Sequence, residues 1–403
     1  MTVPLDVVSA AMGMVLARIQ QPDWADTVQL SRGILLDASV ISTDFDELSD
    51  CIPPEQWDEQ RRELHVALRA IQPRRQSAVL AMARDEALHL PEWIAHHLSI
   101  GVDHIFVYTN DNRDGTDELL RWFSQNAPVT PLFTTAAPGI DIQRKNYQHA
   151  FFLLPELRLF DWVLVIDVDE FLVPASVYDY RLPALLDAAP ADAGAIVFPW
   201  LWRLWDRGFE RTPGLLAKRY EHALPHALCK SVVRLKHATS LCEIHIPTLD
   251  EGARLLDSSL APIAAKEIWT ASRKSFAGGW VDHYWGRSFE EFLIKKTRGD
   301  SLAIPDGQFQ RAYETFFSWT AAYSEQNRSP VPETIVASIQ TKLSQFNRDP
   351  EFRALMAKAL AFYDEHAATL QKDPNLIPLY QKLRQEIAPT LVAAPEPPTE
   401  GLS

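Results

Sequence analysis

Between about residue 77 and residue 203, short apolar segments alternate with segments that have the period of a helix. "SAVLAMARDE" precedes "LPEWIAHHLSIG", "DHIFVYTND" precedes "DGTDELLRWFSQN", and "PVTPLFT" precedes "RKNYQHAFFLLPEL". This alternation is typical of βαβ units, in which helices join parallel strands. We therefore expect an α/β fold with a mostly parallel sheet that is flanked by helices.

The chain has 403 residues, which is more than one such sheet and its helices need. The segments before this region and after about residue 300 have helical periodicity, and the last residues are rich in proline. Asp349 and Pro350 are expected to be the N-cap and first residue of a C-terminal helix. We expect a helical N-terminal accessory region, an α/β domain, a helical C-terminal region and a disordered tail, at residues 1–73, 74–300, 301–388 and 389–403.

The net charge of −14 argues against a general nucleic-acid binder, because affinity for phosphates comes mainly from lysine and arginine. No segment is long and apolar enough to span a bilayer, and no basic residue precedes the apolar segment near the N-terminus as in a signal peptide. Cys51, Cys229 and Cys242 form no CxxC pair, which favours reduced thiols and a cytoplasmic location. Peripheral association with a membrane stays open.

The segment "FDWVLVIDVDEFLVP", residues 160–174, joins a continuous apolar run to three acids. On an extended strand, Asp167 and Asp169 point to the same face with Cα atoms roughly 7 Å apart. Ligands of parallel sheets bind beyond the carboxyl ends of strands, where paired carboxylates suit Mg²⁺ or Mn²⁺ together with substrate phosphates. The alternative is that the acids only cap the next turn. The apolar strand before them favours a metal and diphosphate site, in which Glu170 is expected to be structural.

An ordered series of motifs resembles a known family. The series is "ARDEALHLPEWIAHHLSIGVDHIFVYTNDNRDGTDELL", "QRKNYQHA", "FDWVLVIDVDEFLVP", "CKSVVRL", "IHIP" and "HYWGRSFEEFLIKKTRGD". It resembles the family-2-like glycosyltransferases of the GT-A fold, in the subgroup with RNE, LPEW, GVDHFxVYxND, DGT and DxDEF motifs. The resemblance runs from about Ala78 to about Asp300. It implies a GT-A-like fold and transfer of a sugar, with inversion, from a nucleotide-sugar donor to a glycan, lipid or protein acceptor.

The resemblance also implies roles for residues that follow the first two strands. Arg84, Asp85 and Glu86 stand where relatives contact the nucleotide, although Asp85 replaces the usual asparagine. Asn110 and Asp111 follow the second strand, where many relatives have an acid that contacts the base or the ribose. Asp111 is the candidate for that acid, and turn chemistry is the alternative explanation for it.

Basic side chains later in the chain are implied as partners of the donor phosphates. Arg144 and Lys145 are candidates for this contact, with a solvated helix face as the alternative. Lys230, in "CKSVVR", is a candidate for contact with phosphate or acceptor. The basic cluster in "FLIKKTRGD" either closes over the diphosphate or lies on a helix surface.

The family's D-x-D is matched by Asp167 and Asp169, and the implied role is to hold Mn²⁺ or Mg²⁺ against the diphosphate. One of the two acids can also contact the ribose. Enzymes of this fold often supply a late histidine as a further metal ligand. His283 is the preferred candidate and His245 the second, with an ordinary core or surface position as the alternative for each.

Acceptor binding and proton removal are the remaining tasks of such an enzyme. Trp200 and Trp202 share a strand face and suit either an acceptor sugar or the core, and at least one is expected in the core. An inverting enzyme needs a carboxylate that removes the acceptor's proton. Asp206, Glu243 and Asp282 are the candidates for this base, and no local pattern selects one.

Two other functions are weighed against glycosyl transfer. A nucleotidyltransferase could use the same fold and metal site to make a nucleotide sugar. Its usual glycine-rich basic loop after the first strand is missing from "ARDEALHLPEW", which disfavours this function. A non-catalytic binding or scaffold protein could retain the fold, but loss of the paired acids would then be expected, and they are present.

Overall fold

The computed structural model describes residues 7–28, 34, 40–204, 210–243, 245–269, 275–297, 325–374, 376, 378 and 381. The predicted tail at 389–403 therefore lies outside the described residues. The strands are β1 Arg75–Ala83, β2 His104–Thr109, β3 Val129–Phe133, β4 Phe160–Val165, β5 Glu170–Pro174, β6 Ala193–Arg203, β7 Ala223–Arg234, β8 Ala238–Ser240, β9 Thr248–Leu249, β10 Arg254–Asp257 and β11 Gly279–His283.

The α-helices alternate with the strands in the middle of the chain and continue after them. They are α1 Val7–Ile19, α2 Trp24–Thr27, α3 Glu59–Ala70, α4 Leu90–Ser99, α5 Thr116–Asn126, α6 Ile142–Leu153, α7 Leu182–Ala188, α8 Leu216–Arg219, α9 Phe289–Thr297, α10 Glu333–Phe346 and α11 Pro350–Leu370. Short 3₁₀ helices lie at Thr43–Asp50, Pro54–Gln56, Pro155–Leu159, Ser176–Tyr178, Leu235–His237, Ala265–Glu267 and Glu325–Asn327.

Nine of the described strands form one sheet in the order β3-β2-β1-β4-β7-β6-β11-β5, with β10 beside β6. Five of its eight pairings are parallel: β1 with β2, β1 with β4, β2 with β3, β6 with β10 and β6 with β11. The antiparallel pairings are β4 with β7, β6 with β7 and β5 with β11. The expected α/β fold with a mostly parallel, helix-flanked sheet is confirmed.

The sheet separates two hydrophobic cores, because neighbouring strand residues point to opposite faces. On β4, Trp162 and Leu164 join the core beneath α4, α5 and α10, whereas Val163 and Val165 join the core beneath α1, α3 and α6. Helices on both faces explain the continuous apolar run in this strand. The N-terminal helices, expected to be accessory, thus cover one face of the sheet.

The C-terminal helices pack on the same face as α5. Asp349 is the N-cap of α11, as expected, and its side chain accepts a hydrogen bond from the backbone N–H of Glu351 at 2.8 Å. It also accepts one from Trp122 Nε1 at 3.1 Å. The Trp122 ring lies 4.8 Å from that of Phe352, so this N-cap is joined to α5 through both polar and apolar contacts.

The cysteines differ from their expected state. Cys51 and Cys242 form a disulfide between residues 191 apart in sequence, whereas Cys229 is buried and takes no part in a disulfide. The expectation of three reduced thiols is therefore wrong for Cys51 and Cys242, because sequence spacing does not show which distant residues meet. The cytoplasmic location stays a prediction and loses this support, since stable disulfides are typical of oxidising compartments. No helix among the described residues is long and apolar enough to cross a membrane.

Candidate active site

A cavity of about 340 Å³ lies beyond the carboxyl ends of β1, β2, β4 and β11. These four strands point in the same direction, so the residues that follow them converge at one edge of the sheet. The lining combines carboxylates, cationic side chains and one imidazole with a few apolar groups: Met82, Ala83, Arg84, Glu86, Asn110, Ile142, Gln143, Asp167, Val168, Asp169, His283, Trp285, Lys295 and Lys296.

The paired acids reach this cavity from a turn. β4 ends at Val165 and β5 begins at Glu170, so Asp167 and Asp169 lie between two strands. The expectation that both project from one face of an extended strand is therefore wrong. They still border the same cavity, because the turn folds back at the end of β4.

A buried lysine, Lys230, contacts two of the three acids of this segment. Lys230 Nζ lies 2.8 Å from Asp167 Oδ2 and 3.4 Å from Glu170 Oε2. Burial raises the pKa of Glu170 well above its ordinary value even though Lys230 opposes this shift. The shorter distance assigns the ion pair to Lys230 and Asp167, and Glu170 accepts the backbone N–H of Asp167 at 3.0 Å. Lys230 is fully buried against Asp167 and does not line the cavity, and this position argues against the predicted direct contact with phosphate or acceptor.

Asp169 is surrounded by positive charge. Its Oδ2 contacts Lys295 Nζ and lies 3.4 Å from His283 Nε2. Burial alone would raise the pKa of Asp169, but Lys295 and His283 hold it well below its ordinary value. Burial lowers the pKa of His283 although the Asp169 carboxylate opposes this. The Asp169 carboxyl therefore faces the cavity between the Lys295 ammonium and the His283 imidazole.

Of the three candidate residues after β1, two line the cavity and one does not. Arg84 and Glu86 line the cavity as expected, and Glu86 Oε2 lies 3.4 Å from Arg287 Nη1. Asp85 does not line it. The Asp85 carboxylate instead accepts hydrogen bonds from the backbone and side chain of Arg113, at 2.7 Å and 2.9 Å. This bonding gives Asp85 a loop-closing role, and its nucleotide contact stays a prediction.

Of the two candidate residues after β2, one lines the cavity and one does not. Asn110 lines the cavity, whereas Asp111 is exposed, has a backbone φ of 50° and does not line it. Asn110 Nδ2 donates to Asp111 Oδ2 at 2.9 Å, so the acid orients the amide. Gln143 was missed by the sequence reasoning: it lines the cavity and donates to Asp167 Oδ1 at 3.0 Å. Its place in the first turn of a helix after β3 is the only sequence signal for it.

The two basic candidates on α6 have other partners. Lys145 is fully buried, with its Nζ 2.7 Å from Asp46 Oδ1 and 2.7 Å from the Ser42 carbonyl oxygen. It joins α6 to the N-terminal region, and this position argues against the predicted phosphate contact. Arg144 is half-exposed and lies 3.5 Å from Asp141 and 3.7 Å from Glu243, outside the cavity lining.

The three carboxylates that were candidates for the base differ in their positions. Asp282 precedes the cavity-lining His283 on β11, so it points to the opposite side of the strand. There it is fully buried and paired with Arg203 Nη2 at 2.6 Å. This buried position, away from the cavity, argues against Asp282 as the base. Glu243 is exposed, and Asp206 lies outside the described residues.

An aromatic group surrounds His283. The Trp200 ring centroid is 4.3 Å from that of His283, and the Trp202 centroid is 5.7 Å from it. Trp200 is buried in the core, as expected for at least one of the pair. His245, the second metal candidate, binds the Cys229 carbonyl oxygen through Nδ1 at 2.7 Å and does not line the cavity.

Some side chains at the cavity have the oxygen and nitrogen atoms that a divalent cation binds. Among the described residues, no three His, Cys, Asp or Glu side chains form a ready metal cluster. Asp167, Asp169 and His283 nevertheless border one cavity, and carboxylate oxygens with an imidazole suit Mn²⁺ or Mg²⁺. These cations usually share their shell with water and substrate phosphates. The residues thus fit the cation once phosphate oxygens complete its shell.

The chain was compared with known proteins. Residues 78–190 match the model of Glycosyltransferase family 92. A glycosyltransferase family 92 protein of Oryza sativa subsp. japonica is 33% identical over 94 residues, which cover 23% of this chain and 15% of that relative. The match thus spans less than a sixth of the relative's length.

Solved structures show weaker likeness. S. aureus TarS 1-349 is 13% identical, with 72% of this chain and 89% of that chain covered and a TM-score of 0.28. Glucosyl-3-phosphoglycerate synthase from Mycobacterium tuberculosis, in complex with Mn²⁺, UDP and glucosyl-3-phosphoglycerate, is 16% identical, with coverage of 50% and 67% and a TM-score of 0.25. Residues 78–190, which include Asp167 and Asp169, are therefore similar in sequence to glycosyltransferase family 92.

Proposed function

We propose that this protein is a metal-dependent glycosyltransferase that moves a sugar from a nucleotide-sugar donor to a hydroxyl acceptor with inversion. The observation that carries the proposal is the cavity in which Asp167, Asp169 and His283 meet Arg84 and Lys295. A volume of about 340 Å³ lies in the range of pockets for ligands of nucleotide-sugar size. The similarity of residues 78–190 to glycosyltransferase family 92 supports the same reaction class.

Each side chain has a task in this reaction. Asp169 and His283 would hold Mn²⁺ or Mg²⁺, with Asp167 as a further oxygen ligand oriented by Lys230 and Gln143. Such a cation, when bound, stabilises negative charge on a diphosphate leaving group. Arg84 and the lysines of α9 would bind the remaining phosphate charge.

The nucleotide and the acceptor's proton concern other residues. Asn110 and Gln143 offer amide groups in the cavity for the base or ribose. Glu243 stays a candidate for the base, because it is exposed and its ion pair with Arg144 is as long as 3.7 Å. The acceptor itself is a hydroxyl compound whose class the cavity does not specify.

The test is calorimetry on the full chain with UDP, GDP and ADP, each with and without Mn²⁺, followed by hydrolysis assays with the matching nucleotide sugars. UDP and Mn²⁺ are the first probes because the mycobacterial enzyme is bound to both. Asp169→Ala is expected to weaken Mn²⁺-dependent binding by at least about ten-fold, as expected for loss of a charged contact.

Asp161→Ala is the matched control, because Asp161 lies on β4 but pairs with Arg234 at 3.2 Å, at the strand end away from the cavity. This variant is expected to bind the nucleotide as the wild type does. The proposal fails if no nucleotide binds with Mn²⁺ or Mg²⁺, or if Asp169→Ala binds as tightly as Asp161→Ala.

A further inference from the structure

Lys295 takes the place at Asp169 that a cation would take. It lies on α9, and its ammonium contacts Asp169 Oδ2, the oxygen that also faces His283 Nε2 at 3.4 Å. The three side chains are nearly buried, with exposed fractions of 15% for Lys295, 8% for Asp169 and 7% for His283. Lys295 also lines the cavity, so it is within reach of a ligand there.

This contact has an electrostatic reason. A buried carboxylate without a counter-charge is costly, and in the chain alone Lys295 supplies that charge to Asp169. An ammonium and a divalent cation cannot occupy the same position on one carboxylate oxygen. Binding of the cation therefore requires that Lys295 moves, and its flexible four-carbon stem allows this.

A diphosphate bound in the cavity would give the Lys295 ammonium a new partner. Lys296 is the other α9 lysine at the cavity, and its Nζ lies over the Trp285 ring at 5.2 Å. A nucleoside diphosphate would bring its own negative charge into this space, and that charge would replace Asp169 as the partner of the Lys295 ammonium. Asp169 and Lys295 would then each have a partner of opposite charge both before and after the cation and the diphosphate bind.

We propose that Lys295 is an internal counter-ion, which holds Asp169 while the divalent cation is absent and transfers to the donor diphosphate when the cation binds. The inference rests on the proposed function, because it assumes a cation and a diphosphate in this cavity. It assigns Lys295 two opposite effects: competition with the metal alone, and support of the diphosphate when the metal is present. A permanent structural salt bridge would not support the diphosphate, because its ammonium would stay on Asp169.

The experiment measures Mn²⁺ binding to the full chain without nucleotide, by electron paramagnetic resonance of the free ion. Lys295→Met is expected to bind Mn²⁺ at least about ten-fold more tightly than the wild type, as expected for removal of one charged hydrogen bond. In saturating Mn²⁺, the same variant is expected to bind pyrophosphate about ten-fold more weakly, since it lacks the ammonium.

Lys296→Met is the matched control, because it removes the same charge from the same cavity and α9 without removing the Asp169 contact. Its Mn²⁺ affinity is expected to rise much less than that of Lys295→Met. Lys295→Arg keeps the charge and is expected to bind Mn²⁺ as weakly as the wild type. The Mn²⁺-induced rise in Tm is a second readout of the same affinities, and it also shows whether each variant is folded.

The outcomes separate the two proposals. If Asp169→Ala loses Mn²⁺ binding but Lys295→Met binds Mn²⁺ no more tightly than Lys296→Met, the counter-ion inference is overturned while the metal site stands. If Asp169→Ala binds Mn²⁺ as the wild type does, the metal site of the proposed function is overturned, and the inference with it. A gain in Mn²⁺ affinity that is confined to Lys295→Met, together with a loss in the pyrophosphate affinity of the same variant, supports the inference.

Discussion

At the residue scale, the same type of side chain has opposite tasks at different positions. Lys230 and Lys145 are both fully buried, yet Lys230 holds an acid of the cavity whereas Lys145 joins α6 to the N-terminal region. Lys295 lines the cavity itself. In the sequence all three are lysines next to functional motifs, so their tasks depend on which carboxylate each one meets.

Lys145→Met tests the structural role of this residue. The change leaves Asp46 without its ammonium partner, and loss of one partner of a buried pair costs about 3 kcal/mol of unfolding free energy. Nucleotide affinity is expected to stay unchanged, because Lys145 does not line the cavity. Urea unfolding and calorimetry measure the two quantities, and a large loss of affinity with unchanged stability would contradict this assignment.

At the element scale, a buried carboxylate joins two helices. Glu92 on α4 accepts the backbone N–H groups of Leu216 at 2.9 Å and Ala217 at 3.3 Å, at the start of α8. Burial raises the pKa of Glu92 to about 7, although these two N–H groups oppose the shift. The link between α4 and α8 therefore changes its charge near neutral pH.

Glu92→Gln tests this link. A carboxyl whose pKa is higher in the folded than in the unfolded protein stabilises the fold most at low pH, and this stabilisation is lost as pH rises from about 4.5 to about 7. The wild type is expected to lose about 2 kcal/mol more than Glu92→Gln between pH 5 and pH 8. Urea unfolding at both pH values measures this difference.

The control for Glu92→Gln is a helical glutamate in a different setting. Glu118 on α5 is half-exposed and hydrogen-bonds Lys358 at 2.8 Å, which lowers its pKa. Glu118→Gln is expected to keep the pH dependence of the wild type, with at most a small change of opposite sign. Equal pH dependence in the wild type and Glu92→Gln would show that the Glu92 carboxyl does not titrate in this range.

At the scale of the whole molecule, the helical ends of the chain are part of one structure with the sheet. α1 and α3 contribute Val8 and Leu64 to the core on one face, and α11 contributes Phe352 to the core on the other. The Cys51–Cys242 disulfide adds a covalent link between the N-terminal region and the segment after β8. Loss of this link is expected to affect the stability of the whole fold.

Cys51→Ser tests the disulfide. Removing a link that closes so long a loop is expected to lower the unfolding free energy by about 2–4 kcal/mol, measured by urea unfolding without reductant. Alkylation of the denatured, unreduced wild type is expected to label only Cys229, and all three cysteines after reduction. Three labelled cysteines before reduction would contradict the disulfide.

Much of the site could be located from sequence because of the parallel sheet. Arg84, Asn110, Asp167 and His283 each follow or end a strand, and strands that run in one direction bring such residues to one edge. Gln143 was missed because it precedes a more conspicuous basic pair on α6. Lys145 of that pair meets Asp46, which is about a hundred residues away in sequence, so no local pattern could show this partner.

Local periodicity and the direction of the chain were enough to predict the alternating strands and helices of about residues 77–203, the edge at which polar residues collect, and the N-cap at Asp349. The long-range partners emerged with the three-dimensional fold: Lys230 with Asp167, Lys295 with Asp169, Asp282 with Arg203, and Cys51 with Cys242. Local sequence carries no record of such long-range partners, and the charge and reactivity of a buried group depend on its partner.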